Sequence, residues 1–217
     1  MKFKGLILLM MCLIRFNTLN AQAYQDDDKY RVGLKAGPVV STLKGNELTK
    51  SSLNYGFTGG LYFRYKLKGG FHYQTEINST IRGARFNGNG NNGYNKFTLL
   101  YLDATQLLMK DLKKGDHTHC VVLGAQPSVM LQSWVYSPYF QLSPAARGVK
   151  LNGGDAFVVF GYQLNKRVIG IQSVIKIGLT NINRGLNMYD VLGNPLGPSS
   201  SGTGVIRNIS WETSIAF

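Results

Sequence analysis

The chain has 217 residues, with 24 lysines and arginines against 11 carboxylates and a formal charge of +13. That length implies one domain with room for a sizeable core, and the basic balance implies an anionic surface or partner. No apolar run of about 18 residues follows the N-terminal segment, which argues against a helical membrane span.

The chain opens MKFKGLILLMMCLIRFNTLNAQA. Lys2 and Lys4 precede an apolar run from Leu6 to Ile14, and Ala21-Gln22-Ala23 supplies small residues for cleavage. Residues 1–23 are therefore predicted to be a secretory signal peptide, and residues 24–217 the mature domain. Removal would take away Lys2, Lys4 and Arg15, lowering the charge from +13 to +10. It would also take Cys12 and leave Cys120 alone, so an exported chain would have no internal disulfide.

Beyond that segment, period-two alternation dominates. In LNYGFTGGLYFRYKL, Tyr55, Phe57, Leu61, Phe63 and Tyr65 share one face, while Asn54, Thr58, Tyr62, Arg64 and Lys66 share the other. In the next segment Phe71, Tyr73, Ile77 and Ile81 alternate with His72, Gln74, Glu76, Asn78, Thr80 and Arg82. Eight such segments are predicted, at 29–41, 53–67, 71–86, 96–110, 119–132, 155–165, 168–181 and 206–217. KFTLLYLDATQLLMK alternates less cleanly, and Pro127 predicts a bulge or local distortion in the fifth segment.

Connections alternate in length. Those at Lys68–Gly70, Asp111–Gly115 and Asn165–Arg167 are short or moderate. Those at Thr42–Ser52, Asn87–Asn95, Ser133–Gly154 and Asn183–Val205 are long and rich in Gly, Asn, Ser and Pro. Short turns on one rim and long loops on the other predict an all-β fold: an eight-stranded antiparallel up-and-down transmembrane β-barrel.

A soluble barrel has an apolar interior, so the polar faces discriminate. They carry Arg31, Lys35, Arg64, Glu76, Arg82, Asp103, Lys176 and Glu212, and the opposite faces are nearly uncharged. A small dry interior tolerates such groups only if they pair or are hydrated. The reading is a lipid-facing apolar wall around a charged lumen. Arg31, Arg64, Glu76, Arg82, Asp103, Lys176 and Glu212 are predicted to form that lumenal network. The last segment, RNISWETSIAF, puts Trp211 and Phe217 on one face and resembles the C-terminal assembly signal of outer-membrane barrels. That signal implies the barrel-assembly machinery as a partner.

Several stretches together resemble the PorT-like outer-membrane β-barrel family of Gram-negative bacteria. They are YRVGLKAGPVVSTL, FHYQTEINSTIRGARF, VLGAQPSVML, VIKIGLTNIN, and YLDATQLLMK, in which Ala104-Thr105 stands where Ile-Pro is usual. The resemblance spans the mature chain and implies the barrel fold in the outer membrane. Some members of the family support type IX protein secretion.

Residues that could carry chemistry do not converge. His72 and Glu76 share a face but stand about 13 Å apart along a strand, too far for a catalytic pair. A lipid A hydrolase barrel would need a His/Ser pair on the lipid-facing rim, and His72 lies on the polar face near the short turns. His117, His119 and Asp116 cluster at a turn without further ligands, so neither a metal nor a cofactor is expected. Asn78-Ser-Thr and Asn208-Ile-Ser match a glycosylation sequon but fall within strands. Gly88, Gly90 and Gly93 spell G-x-G-x-x-G, yet a strand follows instead of a helix, so a hairpin tip is predicted, not a nucleotide cradle.

The short-turn rim is basic, with Lys68, Lys113, Lys114, Lys166 and Arg167 among its cations. It suits anionic outer-membrane lipids and lipopolysaccharide, or docking of periplasmic and secretion-system proteins. An exported membrane barrel has no access to nucleic acid. The expectation is a non-enzymatic component of an envelope or secretion assembly, the alternative being a barrel whose surface loops bind a ligand or partner.

Overall fold

The computed structural model describes residues 29–45, 51–87, 94–113, 117–137, 140–142, 153–166, 169–182 and 205–217. Eight long strands form: β1 (Tyr30–Gly45), β2 (Asn54–Lys66), β3 (Phe71–Asn87), β4 (Tyr94–Lys113), β5 (Thr118–Ser137), β6 (Gly154–Lys166), β7 (Ile169–Gly178) and β8 (Ile206–Ala216). Each pairs antiparallel with its neighbour in sequence, and β8 returns to β1 with Lys35 opposite Ala216 and Gly45 opposite Ile206. The sheet is therefore a closed eight-stranded up-and-down barrel with no free edge. At the seam, the backbone N–H of Phe217 donates to Leu34 O (2.9 Å) and that of Leu34 donates back (3.2 Å).

Alternation sets which side chains meet which medium. Val32, Phe57, Leu61, Ile77, Leu123 and Val129 all face outward and are more than half exposed. Their strand neighbours Thr58, Arg82, Asp103, Gln126 and Glu212 are wholly enclosed. A water-soluble protein cannot sustain that inversion, whereas hydrocarbon around the wall makes it favourable. Trp211 faces outward too, and its indole N–H donates to Ser173 on β7 (2.8 Å), so no donor is left bare in lipid.

The short turn between β2 and β3 is a 3-10 turn, Lys68–Gly70, in which Gly69 and Gly70 have φ of 71° and 73°. Side chains other than glycine are strained there. β3 and β4 pair from Phe71 opposite Lys110 to Asn87 opposite Tyr94, so the glycines of the G-x-G-x-x-G string join two strands. Residues 88–93 themselves lie outside the described residues.

Three features depart from the sequence expectation. β1, β4 and β5 run further toward the long loops than alternation indicated, and Ser51–Ser52 and Phe140–Leu142 add short ladders beside β3 and β5. Above the apolar band a strand needs no lipid-facing side chains, so the hydrophobic signal stops before the hydrogen bonding does. Pro127 brings a local distortion without a register shift: the β4–β5 ladder is interrupted between the Asp103–Ser128 and Gln106–Ala125 pairs and resumes in the same register. The two register shifts fall elsewhere, at Leu131, between the Leu100–Gln132 and Tyr101–Met130 pairs, and at Leu112, between the Asp111–Cys120 and Lys113–His119 pairs. The lumen is not polar throughout, either. Leu107, Met109, Cys120, Val122, Val159 and Val174 form an enclosed apolar cluster on the β4–β7 side. Both faces of β4 are therefore apolar there, and alternation fails.

Candidate functional site

Eight strands leave an interior only wide enough for side chains. Among the described residues, four cations (Lys35, Arg64, Arg82, Lys176) and four anions (Glu76, Asp103, Asp155, Glu212) are buried within it. The enclosed charge balances to zero.

The middle tier is a chain of alternating sign. Lys35 Nζ on β1 donates to Glu76 Oε2 on β3 (2.8 Å), ion-pairs with Glu212 Oε1 on β8 (2.9 Å), and donates to Gln172 Oε1 on β7 (2.6 Å). Glu212 Oε2 in turn accepts from Lys176 Nζ on β7. Glu76 is also held by the amides of Gln74 and Asn78, its neighbours on the same inward face. Lys35 thus links strands that are not adjacent in the sheet and fills the middle of the lumen.

A second tier lies toward the long loops. Arg82 on β3 pairs with Asp103 Oδ2 on β4, which also accepts from Thr80 Oγ1 (2.6 Å). The guanidinium lies against Tyr101 and Phe157, its central carbon 5.1 Å and 4.6 Å from the ring centroids. Asn208 Nδ2 on β8 donates to Tyr101 Oη (3.2 Å) and Asp155 Oδ2 (2.8 Å). Asp155 and Lys35 complete the network, and sequence reading left both outside the predicted set. Asp155 opens a strand, where alternation has no preceding residues to define its face.

The third tier sits at the short-turn mouth. Arg64 donates to Gln74 Oε1 (2.7 Å) and Asn165 Oδ1 (3.4 Å). Arg31, predicted for the buried network, lies at this mouth and is only partly buried. It stands opposite Arg64 in register, and both guanidinia approach the Tyr62 ring, at 6.0 Å and 5.5 Å. Nearby, His72 Nε2 lies 3.0 Å from Asp111 Oδ2, and Cys120 Sγ donates to Asp111 Oδ1 (3.1 Å). Ring and thiol thus both bond the Asp111 carboxylate. Pairing of β3, β4 and β5 brings these three together, which spacing along one strand cannot reveal.

Of the predicted short-turn rim, Lys68 and Lys166 are exposed and Lys113 ends β4, while Lys114 and Arg167 lie outside the described residues. Trp211 and Phe217 both face outward on or beside β8.

A closed eight-stranded barrel with an apolar exterior and a charge-neutral packed interior defines an integral outer-membrane protein of the small-barrel class. The chain belongs to the outer membrane protein beta-barrel domain family, whose model matches residues 20–184. No curated protein sequence matches it. Among solved structures it is similar to neisserial surface protein A, with TM-score 0.50 and 10% identity, covering 87% of this chain and 98% of that one. It is also similar to Ail, the attachment invasion locus protein of Yersinia pestis, solved with the heparin analogue sucrose octasulfate (TM-score 0.47, 12% identity, 87% and 98% covered). A third similar structure is LpxR from Salmonella typhimurium (TM-score 0.34, 9% identity, 89% and 86% covered). At such identities the likeness concerns the fold alone.

Proposed function

We propose that this barrel is a non-enzymatic accessory component of an envelope assembly, exported by its N-terminal signal segment and acting through its rims. The observation that supports this is the lumen. The Glu76–Lys35–Glu212–Lys176 chain crosses it, and its buried charges cancel, so it provides neither an open path nor an ion-selective ring. What remains for partners is the short-turn rim, basic at Lys68, Lys166 and its neighbours, together with the loops. The PorT-like resemblance points to a protein-secretion assembly of type IX kind. Gentle-detergent extraction from native outer membrane, followed by affinity capture of the tagged chain, tests this. Reproducible co-purification of periplasmic or secretion components, weakened by K68Q/K166Q, is expected; a barrel that purifies alone contradicts it.

A second reading has its own support. β4 and β5 are 20 residues each. At about 3.4 Å per residue and a tilt of about 40°, such strands rise roughly 50 Å, against an apolar band of about 25 Å. The wall therefore projects well beyond the membrane on the loop side, which suits capture of an external ligand or surface partner. Specific binding to intact cells that is lost on shortening the 138–153 loop would favour it.

A further inference from the structure

The enclosed charge sums to zero but is not balanced locally. Lys35 and Lys176 share Glu76 and Glu212, and Arg82 has Asp103. Arg64 on β2 is only 8% exposed, yet it has no carboxylate within ion-pair distance among the described residues. The remaining buried carboxylate, Asp155, lies at the far end. Arg64 contacts Asn165, ten residues along β6 from Asp155, roughly 33 Å of strand. Glu76 is reached only through the Gln74 amide, and Asp111 is bonded by His72 and Cys120. A buried cation in that position is costly unless an anion arrives.

The guanidinium is braced from three sides. Nε donates to Gln74 Oε1 (2.7 Å), and Gln74 in turn donates to Glu76. Nη1 donates to Asn165 Oδ1 (3.4 Å), which also accepts from Gln163 Nε2 (2.6 Å), while Asn165 Nδ2 donates to Cys120 Sγ (3.3 Å). Gly170 makes room for both amide tips: a Cβ there would stand 2.7 Å from Asn165 Oδ1 and from Gln163 Nε2. The Tyr62 ring lies against the guanidinium at 5.5 Å, and its hydroxyl donates to Phe217 O (3.2 Å). Nη2 is enclosed and meets no acceptor among the described residues. A cation held by a second ring of hydrogen bonds, with one donor unused, has the form of a preorganised anion site.

Arg64 points into the lumen, so a lipid headgroup outside the wall cannot reach it. An anion must enter along the barrel axis from the short-turn side. Exposed Lys66, Lys68 and Lys166 stand at that entrance, and Asp111 is the one side-chain carboxylate there among the described residues. We propose that this mouth binds an acidic peptide segment of a periplasmic partner, with one Asp or Glu carboxylate seated on Arg64 Nη2 and flanking acids on the rim lysines. A slim extended segment fits an eight-stranded lumen, whereas a folded surface does not. The 3.4 Å contact to Asn165 is the weak one, and its release turns the Nη edge toward the entrance. Rim lysines steer the encounter, and the enclosed guanidinium holds the carboxylate by a charge-assisted hydrogen bond. The proposal rests on the reading that partners meet the short-turn rim.

The test uses the mature chain, residues 24–217, folded in phosphatidylcholine nanodiscs. The probe is a fluorescent eight-residue peptide of alternating Glu and Gly; its Gln-and-Gly counterpart, acetate and inorganic phosphate are the controls. Wild type is expected to bind the acidic peptide and gain unfolding temperature from it. Arg64→Gln should weaken binding by about tenfold or more even at high salt, and Arg64→Lys, which keeps the charge, should lie between. K68Q/K166Q should lose affinity mainly at low salt, as exposed charges do. The proposal is overturned if the Gln peptide binds equally, or if both Arg64 variants bind as wild type does. It is also overturned if millimolar phosphate or acetate stabilises as the peptide does. Binding that appears only after removal of residues 24–28 overturns it too, because Asp26, Asp27 and Asp28 would then be the occupant. Affinity capture from native outer membrane separates this site from the rim reading. A partner retained by R64Q as by wild type overturns the Arg64 site and leaves the rim; a barrel that purifies alone overturns the rim reading itself. Heat-modifiable gel mobility confirms that each variant is folded before it is scored.

Discussion

Glu212→Gln should be the most damaging single change in the lumen. Glu212 lies between Lys35 and Lys176 and ion-pairs with both amine groups. Lys35 keeps Glu76 after the change, but Glu212 is the sole carboxylate within ion-pair distance of Lys176 among the described residues. The amide therefore leaves a fully enclosed ammonium without a counter-charge, and an interior that is neutral in the wild type becomes net positive. Breaking a buried pair from one side costs about 3–5 kcal/mol, whereas removing both partners costs far less. Lys176→Met added to Glu212→Gln should therefore restore part of the loss, with a coupling energy of about 1–3 kcal/mol. Equilibrium unfolding in denaturant, followed by tryptophan fluorescence from Trp134 and Trp211 in small vesicles, measures both quantities. A single-variant loss below about 1 kcal/mol, with no coupling, would mean that the lumenal charges are hydrated and screened. The packed-network account would then fail.

Other predictions concern the turn, the wall and the thiol. Gly69→Ala and Gly70→Ala should each cost about 1–2 kcal/mol, because both residues hold left-handed φ; equal stability of variant and wild type in the same unfolding assay would contradict this. Trp211→Phe and Ser173→Ala should each cost about 0.5–1.5 kcal/mol and the double variant no more than the larger single loss, since both remove one hydrogen bond. Cys120 is enclosed and bonded to Asp111 and Asn165. Its maleimide labelling should follow global unfolding, and rapid labelling of the folded barrel would show a solvated lumen.

The wall was legible because each lipid-facing strand must present an apolar residue at every second position, and Phe57, Leu61, Phe63 or Ile171, Ile175, Ile177 announce it directly. Barrel closure followed from strand count and the alternation of short and long connections. The lumenal pairings were not legible, since Lys35 meets Glu76 and Gln172 only after eight registers and the strand tilt are set. Local pattern also misled at β4, where Leu107 and Met109 fill an apolar pocket of the interior and erase the alternation.

The central claim is that the barrel is filled and its work is done at its rims. Single-channel recording of the refolded protein in planar bilayers tests this most directly. The account predicts no steady conductance step for the wild type, because the Glu76–Lys35–Glu212–Lys176 chain spans the lumen. A reproducible step of porin size, open at low voltage, would contradict it.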